Sequence, residues 1–407
     1  MEHNYQKLFA EIDGILRRDY AGMDECDGLF DPRYYTQAIG QAWNDGLLDE
    51  LLFLRYVNQM LACTGDRHLR FSLLPGEGYE PYTPGFLVRR CGGALYVTEA
   101  DGEARLRPGD RITAVNGGTP EHHRRVIQKN FFYADTPERE DWSGLLKMAQ
   151  SVSVERLGEI ELRHYPRPAV ARAPSLRFLG RTAVVDPGTL DGSGRAAALL
   201  EENDAALSRA EHIVWDLRRC GGAAEADVTP LLGWLCTRGA AERELLGDTE
   251  LYVNYSQRNC ALRIAALRAA GGAEDYIREL EAKTGKGFLP ESEPGSAAPV
   301  RARAKRVTVL TDTWCSGAGE TLALAARRGG ARLIGRPTMG TLDYCQLLGV
   351  LLDGRYLFQW PGAVTKQARG GGGMKGRGIA PDEYIPFQPE EITRDTLLEA
   401  ALARGTD

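Results

Sequence analysis

Residues 307–330 read Val-Thr-Val-Leu-Thr-Asp-Thr-Trp-Cys-Ser-Gly-Ala-Gly-Glu-Thr-Leu-Ala-Leu-Ala-Ala-Arg-Arg-Gly-Gly, and their three textures decide the architecture. Val307 to Leu310 form an extended apolar run and Thr311 to Gly319 a polar, glycine-softened turn. Glu320 to Arg328 then carry a helical pattern that Gly329 and Gly330 stop. A side chain at such a turn stands at a helix N-terminus, where free N–H groups and the positive end of the helix dipole stabilise an oxyanion and favour a deprotonated nucleophile. Two readings of Ser316 stay open here, a helix cap and a nucleophile. Cys315 likewise reads either as a reactive thiol at a helix start or as a small buried hydrophobe behind Trp314.

Outward from this stretch, strand patterns at Thr182–Val185, His212–Leu217, Arg306–Leu310, Arg332–Ile334 and Tyr356–Gln359 alternate with helical patterns at 194–210 and 319–328. That alternation predicts an α/β class with a layered core. Asp216-Leu-Arg-Arg-Cys-Gly-Gly222 follows one of the strands, and paired glycines there either make a plain turn or bring Gly221 or Gly222 close enough to lend an N–H to an oxyanion. Residues 239–284 read as a charge-rich, mostly helical insertion, either a lid over a site or a solvated excursion. The Gly370–Gly373 run predicts a loop.

Nearer the start, apolar residues at three- and four-residue spacing over 4–19 and 35–63 predict amphipathic helices. After Pro75 the texture turns to short β-type runs, Gly85–Val88, Ala94–Val97 and Leu106–Gly117, which predict a small β-rich unit. Between the two lies Thr64-Gly-Asp-Arg-His-Leu69, where His68 reads as a structural histidine or as a general base.

The 407 residues exceed one core, so two or three domains are expected. Their 56 acidic and 50 basic side chains leave a charge of −6, which draws neither nucleic acid nor an anionic membrane. The N-terminus shows no basic segment followed by an apolar run, and no window reaches the length of a membrane span; a cytoplasmic, non-exported protein is expected. Eight cysteines with no CxxC pair argue for reduced thiols and against a zinc site. No metal or other cofactor is expected, and the oligomeric state is left unassigned.

The order of the pieces adds a resemblance. "TGDRH", "LRPGDRITAVNG", "IVWDLRRCGGA", "VTVLTDTWCSGAGETLALAA", "LIGRPTMG" and "GRGIAPDEYIP", together spanning about residues 5–390, resemble the S41 peptidases, the family of the C-terminal (tail-specific) processing proteases and the tricorn core. The resemblance implies an N-terminal helical segment (1–75), a PDZ-like β-rich domain (76–150), and a crotonase/ClpP-like layered α/β core (151–407) with a helical insertion at about 239–290. It implies hydrolysis of peptide or protein substrates through an acyl-enzyme, with no metal. Gly85, Phe86 and Leu87 fall where a PDZ domain receives a peptide's terminal carboxylate.

For the site, the resemblance implies Ser316 as nucleophile when counted back from "IGRPT", whereas counting from "VTVLTD" puts Gly317 there. The oxyanion would be held near Gly317 and Gly221. Processing proteases carry a lysine after the motif matched by "GRPTMG", and Thr341 stands in its place. Tricorn-like members use a histidine at the position of His68. Where their supporting carboxylate is expected, this chain has Lys375, leaving Asp66, Glu320 and Asp343 as other carboxylates near the motifs. The alternative implied by these departures is a catalytically inactive, S41-like peptide-binding scaffold.

Overall fold

The computed structural model describes residues 4–26, 31–75, 82–131, 136–166, 171–223, 225–247, 249–293 and 295–404. The chain packs as two units, one of Met1–Glu80, Thr249–Glu293 and Asp343–Lys375, the other of Pro81–Asp248, Pro294–Leu342 and Gly376–Asp407.

The first unit begins with helices Tyr5–Arg18, Pro32–Asn44 and Glu50–Ala62, capped by the side chains of Asn4, Asp31 and Asp49. The expected 35–63 helix is two, because Gly46 at φ +69° ends the first and Asp49 opens the second by accepting from the Leu52 amide at 2.7 Å. The helices cover an antiparallel sheet ordered Arg70–Leu73, Tyr356–Thr365, Thr249–Tyr255, Gly287–Glu293, with Tyr344–Leu352 along the other side of Tyr356–Thr365. Tyr356–Gln359, expected in the α/β core, belongs here instead. Its alternation buries Tyr356, Phe358 and Trp360 against Phe53 and Phe71, and the Phe71 and Tyr356 rings stack at 5.2 Å.

The stretch expected to be mostly helical contains strand Thr249–Tyr255, whose Leu251, Val253 and Tyr255 alternate with polar residues at period two. Helices Gln257–Ala269 and Glu274–Lys283 follow, and strand Gly287–Glu293 pairs back. The Gly370–Gly373 run lies at a kinked turn, where Gly371 adopts φ +80° within Ala368–Gly372 and Gly373 follows in extended conformation.

In the second unit, Leu87–Cys91, Ala94–Glu99, Arg111–Val115, Ser151–Val154 and Gly158–Glu161 form an antiparallel sheet in chain order around Phe86, Leu95, Val97, Ile112, Val115 and Trp142. A six-stranded sheet runs Glu383–Tyr384, Arg332–Gly335, Val307–Thr311, His212–Asp216, Thr182–Asp186, Ser175–Leu179, parallel except at the last pair. Val307–Thr311 is buried at every position, as a central parallel strand must be. Helix Ala318–Arg328 follows it, burying Leu322, Ala323, Ala325 and Ala326 and placing Arg327 and Arg328 at its negative end. Among the described residues, no helix is long and apolar enough to cross a membrane.

Candidate functional site

The turn between Val307–Thr311 and Ala318–Arg328 is pinned from its first residue. Asp312, at the exit of the strand, accepts from Arg89 Nη1 at 2.8 Å and Arg336 Nη1 at 2.9 Å, and Arg336 also bonds Glu391. Burial alone would raise the Asp312 carboxyl, but the Arg89 and Arg336 guanidiniums hold it far below the usual carboxylate range. The next amides are spent inside the protein. Cys315 N–H donates to Asp312 O at 2.9 Å, Ser316 N–H to Cys220 O at 3.0 Å, and Gly317 N–H to Thr341 Oγ1 at 2.8 Å.

Ser316 is not the helix cap. That position is Gly317, at φ +52° and ψ −123°, with no side-chain cap bond. This is a conformation L side chains rarely adopt, and it recurs at the sharp strand-to-helix turns that hold hydrolase nucleophiles. A Cβ on Gly317 would meet Gly222 O at 2.3 Å and one on Gly319 would meet Cys220 O at 2.4 Å, so both glycines are required by backbone packed on backbone. Ser316 Oγ lies toward Gly221, 3.0 Å from where a Cβ there would stand. Gly221–Gly222 runs parallel to Thr189–Leu190 in a two-stranded ladder.

The geometry bears on two of the sequence readings. The Gly317 amide, expected to hold an oxyanion, is engaged by Thr341, and the carbonyl of Gly222 stands where a Gly317 Cβ would project. Cys315 is fully buried, and burial first, then Cys220 and nearby carboxylates, push its thiol well above the usual range, in keeping with the reading of a small buried hydrophobe.

Glu320, considered as support for the histidine, has a different task. Its carboxylate is 0% exposed and accepts from Thr338 Oγ1 at 2.5 Å and Gly340 N at 2.6 Å on one oxygen. On the other it accepts from Thr341 N at 2.8 Å and Thr341 Oγ1 at 2.5 Å. These four donors satisfy the buried charge and shape the 338–341 loop.

His68 belongs to the other unit. Asp66 Oδ1 accepts from both the His68 amide at 2.8 Å and Nδ1 at 3.0 Å, and Asp66 Oδ2 accepts from the Tyr20 hydroxyl at 3.0 Å. The Asp66 side chain is 1% exposed and that of His68 is 22% exposed. A carboxylate cannot donate, so the proton sits on Nδ1 and the lone pair on Nε2. Tyr20 was not singled out in the sequence, because 46 residues separate it from Asp66.

Lys375, considered as further support, donates from Nζ to the Glu25 carbonyl at 2.9 Å and lies 5.6 Å above the Tyr344 ring. Its amide donates to Asp343 Oδ2 at 2.6 Å, so Asp343, too, serves the backbone of this segment. In the β-rich sheet, Gly85 has φ +81° and no room for a Cβ, which would meet Tyr165 at 2.7 Å and Glu103 N at 2.8 Å. Phe86 is buried, and Leu87 opens the end strand Leu87–Cys91.

No protein-family model and no curated protein matches the sequence. Solved structures do match. Mature CPAF complexed with lactacystin superposes with a TM-score of 0.69 at 11% identity, covering 99% of this chain and 97% of that one. A serine-to-alanine variant of CPAF gives 0.63 at 12%, covering 99% and 96%. A candidate peptidase from Parabacteroides merdae gives 0.52 at 14%, covering 100% and 98%. The chain is thus built on the fold of CPAF and of that Parabacteroides peptidase, a layered α/β core with helices and several sheets.

Proposed function

We propose that this protein binds peptides or protein tails on a peptidase fold without hydrolysing them. The observation that carries the reading is Gly317: the strained residue of the strand-to-helix turn, where a nucleophile would project, has no side chain. Its Cβ direction is filled by the Gly222 carbonyl at 2.3 Å, and its amide is taken by Thr341. The fold supports a peptide or protein as the bound partner. Leu87–Cys91 stands at the end of its sheet and pairs with a strand on one side only, an arrangement suited to an added peptide strand entering past Gly85, Phe86 and Leu87. The β-rich unit then acts as a PDZ-like module. The test is fluorescence anisotropy with a library of labelled peptides bearing free C-termini, alongside chromatography of the same peptides. Saturable binding with intact peptides is the expected result, and cleavage that disappears in Ser316→Ala overturns it.

A second reading is favoured by the Tyr20–Asp66–His68 arrangement, which is the orientation a general base requires. In it the protein is a serine endopeptidase. Ser316 Oγ attacks the scissile carbonyl carbon while His68 Nε2 takes its proton and passes it to the departing amine. Water then hydrolyses the acyl-enzyme by the same route. This requires the two side chains to meet and the Gly317 amide to leave Thr341. Labelling by a fluorophosphonate probe, lost in Ser316→Ala and His68→Ala, separates it from the first reading.

A further inference from the structure

Strand Tyr344–Leu352, Tyr-Cys-Gln-Leu-Leu-Gly-Val-Leu-Leu, is the outer member of its sheet, pairing along one side with Tyr356–Thr365. Among the described residues, no backbone bond runs outward from 346–351. The strand has no charged residue and no proline, while Leu347 and Leu351 are each 50% exposed. Several other terminal strands are guarded. At the far side of the same sheet, Gly287–Glu293 carries Pro290 and Glu291. Three ends of the other large sheets carry Glu159 and Glu161, Arg177, and Glu383. Charges and prolines at strand edges block pairing with another chain. One long edge without them is an edge built to be covered.

We propose that a second copy of this chain covers it, through antiparallel pairing of Tyr344–Leu352 with itself about a two-fold axis. Charge selects the occupant. An uncharged nine-residue strand is matched by an uncharged strand, and its own copy offers one that likewise makes no outward backbone bond over 346–351. The leucines fix the register. Leu347 and Leu351 flank Gly349 symmetrically, so an axis at Gly349 sets Leu347 of one copy opposite Leu351 of the other, burying four exposed leucines on one face. The ten-stranded continuous sheet that results uses no residue of the turn at Ser316, so the proposal rests on neither reading of function.

Analytical ultracentrifugation of the full chain tests it. The wild type is expected to sediment as a dimer. Leu347→Lys and Leu351→Lys should each weaken association by about tenfold or more by placing a charge opposite a leucine. Leu157→Lys, at an exposed leucine of the β-rich sheet, should leave the dimer intact. Thermal melts of each variant separate loss of pairing from loss of folding. A monomeric wild type, or a dimer that both folded lysine variants preserve, overturns the proposal.

Discussion

The Gly317 amide donates to the Thr341 hydroxyl at 2.8 Å, and that hydroxyl donates in turn to Glu320 at 2.5 Å. One side chain thus closes the turn from two sides, accepting from the Gly317 amide and anchoring itself to a buried carboxylate. The hydroxyl stands where the S41 resemblance leads one to expect a lysine. A lysine has no acceptor and could not make the first of these bonds. The closed geometry of the turn thus depends on a hydroxyl at residue 341.

Restoring a hydroxyl at the strained position will not create a peptidase. Gly317→Ser must hold φ near +52° and place Cβ where Gly222 O now lies. The backbone conformation alone costs on the order of 1–3 kcal/mol, and the clash adds to it. Urea unfolding should show that loss, and fluorophosphonate labelling should stay absent at residue 317. Labelling there would mean that the 221–222 segment yields freely.

Glu320 is expected to be a keystone of stability. Glu320→Gln substitutes an amide for one oxygen and turns an NH2 toward donors, leaving buried groups unpaired. The expected cost is about 3 kcal/mol. Thr338→Val removes one donor of four and should cost about 1–2 kcal/mol. Equal effects in denaturant titrations would show that the carboxylate is not held as a unit.

The Asp66 carboxylate should fix the tautomer of His68. Imidazole nitrogen resonances are expected to report Nδ1–H in the wild type. Asp66→Asn should mix the tautomers, and Tyr20→Phe should shift them less, since it removes a bond to the far oxygen. An Nε2–H ring in the wild type would remove the basis for the hydrolytic reading.

Much of this was legible in the sequence, and the exceptions share a cause. Helix 318–328 and the strand before it announce themselves by periodicity, because their burial is decided by neighbours in the chain. Leu251, Val253 and Tyr255 carried a period-two signal as well, but it was short and flanked by two helices. The role of Ser316 turned on one residue of register, which spacing does not resolve; the φ of Gly317 is what the proposed reading rests on. Thr341, Glu320 and Tyr20 are ordinary residues whose partners stand 18 to 46 positions away, where only the fold brings a donor to an acceptor.

Acid should weaken the second unit through His212. This side chain is 2% exposed, Nε2 lies 2.9 Å from Thr308 Oγ1, and Nδ1 is buried without a partner. Burial first, and then the charge of Arg306, push its pKa down to about 4. The unfolded chain titrates near the ordinary value of about 6.5. Between those values the unfolded state binds the proton and the folded state does not. Stability is therefore fully present above about pH 6.5 and declines as pH falls toward 4, by at most about 1.4 kcal/mol per pH unit. Glu103, held down to about 2 by Arg105 and Tyr165, contributes its own loss below the ordinary carboxylate range, so the two windows separate. His212→Gln, which keeps a polar partner for Thr308 but cannot titrate, should flatten the decline between pH 6.5 and 4 while preserving the one below. Unfolding free energies measured across both windows check this, and an unchanged slope in the variant would assign the acid loss to other groups.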